Sequence, residues 1–207
     1  MEFQSYDWYF GRVRFGEPFG GIIPGARGAV LAALLRTGAP LTGRQVHNLV
    51  RDRFSLWPVQ EALKDLADLG LVTTQTVGRA GVHSVNEAHV AVLHLRALLS
   101  PLVVLKTVVE EAVDDRVKAV VVFGSVGRGE ASPDSDIDLA VIAKAGWDGR
   151  AALEDAIRSR LGNACDVVVF STAEFTRLAA EGEPVVADII VDGVPLIGSL
   201  PRGKGAG

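Results

Sequence analysis

The stretch whose reading decides the fold is Lys118 to Ala143, KAVVVFGSVGRGEASPDSDIDLAVIA. Its first six residues, 118–123, are almost wholly apolar and mostly β-branched, and read as a strand buried on both faces. That strand runs into a glycine-rich turn at Gly124-Ser125 and a polar loop. Residues 136–143, DIDLAVIA, read as the next strand. A period of two sets Asp136 and Asp138 on one face and Ile137, Leu139 and Val141 on the other. Alternate Cα atoms on a strand are about 7 Å apart, so both carboxylates can reach a shared centre. A helix is expected over 149–162, and CDVVVF, 165–170, reads as a third strand. It carries Asp166 near its start, where a third carboxylate can join the same cluster.

Such a cluster needs compensation. Two bare carboxylates 4 Å apart repel by about 4 kcal/mol at an effective dielectric near 20. Either one stays protonated or a cation sits between them. Hard oxygen ligands with open positions suit Mg²⁺. The backbone N–H groups of Gly124-Ser125 and the serine hydroxyl can hold a phosphate, and Arg128 can add charge-assisted hydrogen bonds. Together these residues read as a device for a metal-bound polyphosphate. Glu130 and Asp134 read as solvated or loop-capping groups, and Cys165 as a small buried residue. His89 and His94 lie five apart, which does not place two metal ligands on one helix face. A lone DxD is weak, because glycosyltransferases and phosphatases carry one too. A phosphatase with an aspartyl nucleophile needs its pair at the end of a strand, and here the pair opens one.

Gly124-Ser125, ten residues, then Asp136-Ile137-Asp138 resembles the signature of the DNA polymerase β-like nucleotidyltransferases. The fuller string GSVGRGEASPDSDIDLAV resembles the bacterial minimal members, and the likeness extends over roughly 101–198, to a closing VDGVPLIG. Gly127 departs from the family's pattern, standing where many members have Ala. The resemblance implies a mixed sheet flanked by helices, two Mg²⁺ ions, and transfer of a nucleoside monophosphate from an NTP with release of pyrophosphate. By position, Asp136 and Asp138 are then metal ligands and Gly124 and Ser125 hold the triphosphate. Asp166 completes the metal site and assists deprotonation of the acceptor hydroxyl. Such domains accompany small helical HEPN-type partners in toxin–antitoxin-like pairs, so the acceptor is a protein or an RNA.

Upstream the pattern is different. Helices are expected over 26–38, 41–51 and 55–70, with Thr42 and Ser55 as N-caps, and with Leu49 and Leu69 among the inward apolar positions. Residues 71–86 read as a hairpin around GRAG. Three helices followed by a hairpin is the order of a winged helix-turn-helix, and VQEALKDLADLGLV resembles the recognition helix and first wing strand of bacterial MarR- and ArsR-type regulators. If this module binds DNA, Arg44, Arg51, Arg53 and Arg79 are the candidate phosphate contacts, while Glu61, Asp65 and Asp68 on the third helix oppose it.

The expected fold is therefore α+β: an arm (1–24), a winged helix-turn-helix (25–86), a linker helix (87–100) that bridges the halves or makes a dimer contact, a nucleotidyltransferase domain (101–198) and a mobile tail (199–207). The arm is expected to pack through Trp8, Tyr9 and Phe10. The chain has 207 residues, 48% of them hydrophobic, and a formal net charge of -4, which excludes a globally basic nucleic-acid binder. Its single cysteine allows no intrachain disulfide, and no signal-like or membrane-spanning run is read, so a cytoplasmic enzyme is expected. The alternative reading is a DNA-binding regulator whose second domain senses nucleotides without turnover.

Overall fold

The computed structural model describes residues 11–201; the expected packing of Trp8, Tyr9 and Phe10 and the tail from residue 202 lie outside the described residues. The chain divides into two units, one made of Glu17–Val104, the other of the residues up to Gly16 together with those from Leu105 onward.

The Glu17–Val104 unit begins with a short 3-10 turn, Pro18–Gly21, and helix α1, Gly25–Thr37. Gly38 ends α1 in the left-handed region (φ 62°), donating its N–H to Leu34. Strand β1, Leu41–Thr42, leads into α2, Gly43–Val50. Thr42 caps α2 through a reciprocal box: its hydroxyl accepts from the Gln45 N–H, and its own N–H donates to the Gln45 side chain. Helix α3, Leu56–Asp68, follows. Ser55 stands at its N-cap but makes no side-chain capping bond. Strands β2, Val72–Val77, and β3, Ala80–Val85, pair antiparallel around Gly78-Arg79, and β1 adds to β3 to give the order β1-β3-β2. Gly78 takes φ 63°, which the two-residue turn requires. Helix α4, Val90–Leu98, is capped by His89, whose Nδ1 accepts from the Ala91 N–H, so this histidine has a structural role.

The core of this unit joins Val30, Leu31, Leu34 and Leu35 of α1 to Val46, Val59, Leu63, Leu66 and Val92. Two expected inward positions point elsewhere. Leu49, near the end of α2, is 55% exposed, and Leu69 is 58% exposed because it follows the last turn of α3, where the chain reverses at Gly70.

Helix α5, Pro101–Ala112, spans the division between the units. The second unit then runs β4 (Val117–Phe123), α6 (Gly124–Gly127), β5 (Ile137–Ala143), α7 (Arg150–Leu161), β6 (Cys165–Ser171), α8 (Thr172–Glu181), α9 (Pro184–Asp192) and β7 (Val194–Ile197). The sheet order is β6-β5-β4-β7, with β5 and β6 parallel and the other pairs antiparallel. This is the mixed sheet with flanking helices that the sequence leads one to expect. Val120, Val121 and Val122 are wholly buried, as a strand covered on both faces requires. On one face Ala119, Val121, Ala140 and Ile142 pack with Phe170, Phe175, Val186 and Ile189, which brings α8 and α9 onto the sheet. Each large side chain buried this way contributes roughly 1.5–3 kcal/mol.

A strap from the N-terminal segment completes this unit. The Val13 N–H lies 3.0 Å from both Leu161 O and Asn163 Oδ1, and Asn163 Nδ2 donates back to Val13 O at 3.1 Å. Asn163 is only 1% exposed. Gly16 passes so close to the Ala131 carbonyl that a Cβ there would sit 2.7 Å from its oxygen, and Arg12 donates to Asp134 O. The strap thus ties down the loop that precedes Asp136. Among the described residues no single helix is long and apolar enough to cross a membrane.

Candidate functional site

The site forms where β4 ends. Phe123 pairs in register with Asp138, and Asp138 pairs on its other side with Asp166. Neighbouring strands lie about 4.8 Å apart, so register alone sets two carboxylates side by side on one sheet face. That face is the one α8 and α9 cover further along, through Ala140, Ile142 and Phe170. Strand β5 begins at Ile137, not at Asp136, so Asp136 is the exposed last residue of the loop and Asp138 is half-buried.

Burial pushes the Asp138 carboxyl above its ordinary range, and the carboxylates of Asp166 and Asp136 push it further, against a smaller pull from Arg128. The direction agrees with the repulsion expected from the spacing. Gly124 makes room for it. Its φ is 63°, and a Cβ there would lie 2.2 Å from Asp138 Oδ2, so only glycine fits. Gly127 is tightly set as well: a Cβ would stand 3.0 Å from both the Val122 and Asp192 carbonyl oxygens. Gly124, Ser125 and Val126 form the first turn after β4, and Ser125 O accepts from the Glu130 N–H, closing the loop.

Arg128, partly exposed, is engaged by two carboxylates. Its Nε donates to Glu130 at 2.8 Å, and its Nη1 lies 3.7 Å from Asp192 Oδ2 at the end of α9. The Glu130 bond raises the guanidinium's pKa, with Asp192 and Asp188 adding to it. Glu130 is exposed, as expected of a solvated loop group, and also pairs with Arg128. Asp192 escaped the reading of the sequence altogether; its only signal is its place in VDGVP, immediately before the last strand.

Among the described residues no group of three or more His, Cys, Asp or Glu side chains is arranged to hold a metal ion. The strands bring together a register pair, Asp138 with Asp166, and place Asp136 near enough to repel it. The donor chemistry, oxygen only and short of positive charge, fits a hard divalent cation. The fit extends to this pair and its neighbour, not to a preformed cage. Cys165, buried beside them, has its thiol pushed up to about 12, chiefly by burial, and is no nucleophile.

The four arginines expected at a nucleic-acid face have different surroundings. Arg44 lines a cavity of about 720 Å³ with Gln60, Lys64, Thr74 and His83. Arg53 lies over the Phe54 ring and lines a separate cavity of about 340 Å³ with Arg36. Arg51 pairs with its neighbour Asp52, and Arg79 sits at the hairpin turn. The carboxylates of α3 divide as well. Glu61 and Asp65 line a different recess beside Trp57, where Asp65 pairs with Arg27, while Asp68 stays with Lys64.

Residues 105–185, about two-fifths of the chain, match the family described as Polymerase beta, Nucleotidyltransferase. No curated protein matches the chain. Solved structures with partial likeness include one concerning the DNA recognition and protein interaction domains of HOP2, 26% identical, covering 30% of this chain and all of that one, with a TM-score of 0.29. A toxin–antitoxin with AMP-PNP is 23% identical over 45% of this chain and 69% of its own, with a TM-score of 0.34. The tri-AMPylated HEPN toxin of Shewanella oneidensis in complex with MNT antitoxin is 20% identical over 47% and 73%, with a TM-score of 0.32. TM-scores this low describe local likeness only.

Proposed function

We propose that the chain is a Mg²⁺-dependent nucleotidyltransferase that moves a nucleoside monophosphate from an NTP, ATP first among candidates, to a hydroxyl acceptor. The observation that carries this reading is the in-register pair Asp138 and Asp166 set against Gly124, whose missing side chain leaves space for a crowded carboxylate. Asp136 and Asp138 would hold the metal, with Asp166 completing its ligands. The bound metal would supply charge neutralisation to the triphosphate and to the displaced pyrophosphate. Backbone N–H groups and the hydroxyl at Gly124-Ser125 orient the phosphate chain, and Arg128 offers it a fork of donors. Asp166, at the exposed start of β6, is positioned to accept the acceptor's proton. The acceptor is a protein or an RNA, with a HEPN-type helical partner as the first protein to try. Incubation with labelled ATP, Mg²⁺ and candidate acceptors tests this: label transfer by wild type and its loss in Asp136→Ala and Asp138→Ala is the expected result, and equal behaviour of all three refutes it.

A second reading concerns the Glu17–Val104 unit, and the chain order α1-β1-α2-α3-β2-β3 favours it. We infer a winged helix-turn-helix over 25–86 that binds DNA, joined through 87–100 to the nucleotidyltransferase domain at 101–198. On α3, Gln60 and Lys64 share a face with Arg44, and of the acids only Asp68 lies there, while Asp65 pairs with Arg27 on another. Arg44, Lys64 and Arg79 are then the phosphate contacts. Arg51 and Arg53 are further candidates, Arg53 lying over the Phe54 ring. A salt-dependent shift of DNA that weakens in Arg44→Ala and Lys64→Ala supports this, and no shift at low salt excludes it. If nucleotide binding alters that DNA affinity with no pyrophosphate release, the chain is a nucleotide-sensing regulator instead.

A further inference from the structure

Arg128 is the one cation assigned to the triphosphate, yet two carboxylates already hold it. Glu130 takes its Nε edge at 2.8 Å, and Asp192 faces Nη1 at 3.7 Å. Asp188, one helical turn before Asp192, acts on the same guanidinium. The helix that carries both acids cannot drift away. Val186 and Ile189 are fully buried, and Gly193 lies so close to Ile189 O and Val121 that a Cβ would meet them at 2.2 and 2.6 Å. The Asp192 carbonyl itself bears on Gly127, inside the turn proposed to bind phosphate. An acidic side chain is therefore fixed beside a site whose ligand is polyanionic.

We propose that Asp192, with Glu130, is a positioning residue that sets nucleotide affinity by competing with the triphosphate for Arg128; this rests on the nucleotidyltransferase reading. An arriving triphosphate must draw Arg128 off its carboxylates, which lowers affinity, and that cost shrinks when the acid is made neutral. The device keeps the site from holding nucleotide too tightly to release its products.

The test is titration of the full chain with a non-hydrolysable ATP analogue and Mg²⁺, with adenosine as the uncharged control. Asp192→Asn is expected to bind the analogue roughly threefold to tenfold more tightly at low salt, with the gain shrinking as salt screens the charges. Adenosine binding stays unchanged. Asp192→Glu, which restores the charge, returns to wild-type affinity. Glu130→Gln, on the exposed loop and harmless to folding, also tightens binding. In an Arg128→Gln background the Asp192→Asn gain disappears, which a merely structural role for Asp192 would not produce. Unchanged or weaker binding in Asp192→Asn, or a gain that persists without Arg128, overturns the inference. Absence of any binding by wild type overturns the nucleotidyltransferase reading itself and this inference with it.

Discussion

Two acidic clusters in the same unit are built on opposite principles. At Asp114 the charge is answered: Arg116 donates to it through Nε, Nη2 and its backbone N–H, at 3.0, 2.9 and 2.9 Å, and reaches Asp148 as well. Those hydrogen bonds hold the Asp114 carboxyl below its ordinary range. At Asp138 the charge is not answered. Burial and two neighbouring carboxylates push it up, and the nearest cation, Arg128, is engaged by Glu130 and Asp192. This contrast, acids paired at one place and left unpaired at one sheet end, supports the proposal that the unpaired end takes a ligand of opposite charge.

Removing the acids separates the clusters most sharply. Asp138→Ala is expected to cut nucleotidyl transfer by roughly a hundredfold or more, while Asp114→Ala leaves it within about twofold. Comparable losses in both variants would mean that the unpaired acids have no special role. Gly124→Ala probes the same crowding from the turn. Its positive φ and the Asp138 carboxylate both oppose a Cβ, so transfer should fall by at least tenfold, roughly, with stability lowered too.

The central stretch was legible because its signals are local. A buried strand shows as a run of valines, the turn as glycine and serine, and the carboxylates follow from a period of two. What escaped was non-local. Helices α8 and α9 went unread between the third strand and VDGVP, although Ser171 and Glu174 form a capping box at the start of α8. The hold of Asp192 on Arg128 joins residues 64 positions apart, and no pattern in either neighbourhood announces it. Strand β1, two residues long, is too short to show alternation and exists because β3 offers it a partner. On α3, a count of acids does not say what each one faces; their place around the helix sets Glu61 and Asp65 in one recess and Asp68 in another. The strap shows the same limit: Asn163 is a lone polar residue in sequence, and only the fold reveals that both its amide atoms serve Val13. Asn163→Ala should therefore destabilise the folded chain by about 1–3 kcal/mol, read by denaturant unfolding, because it removes two hydrogen bonds and leaves the part-buried Val13 carbonyl without its donor. No change in midpoint would show that the strap contributes nothing.

The smallest effects carry the cleanest sign. In EDTA, Asp114→Asn and Asp138→Asn should move stability in opposite directions at neutral pH. The folded pKa of Asp114 lies below the ordinary 3.8, so its contribution is present above that value and is lost as pH falls through the folded one. Its asparagine variant is then slightly less stable at pH 7 and indistinguishable in strong acid. Asp138 has the reverse linkage. Its folded pKa lies above 3.8, so the folded chain holds the proton better, and stability falls as pH rises from 3.8 through the folded value. The Asp138→Asn variant, free of that cost, should melt a little higher than wild type at pH 7 and lose the advantage below the ordinary carboxylate value. It should gain this stability while losing transfer. A melting temperature lowered in both variants would show that Asp138 is held by favourable contacts after all, and the contrast between an answered and an unanswered charge would be gone.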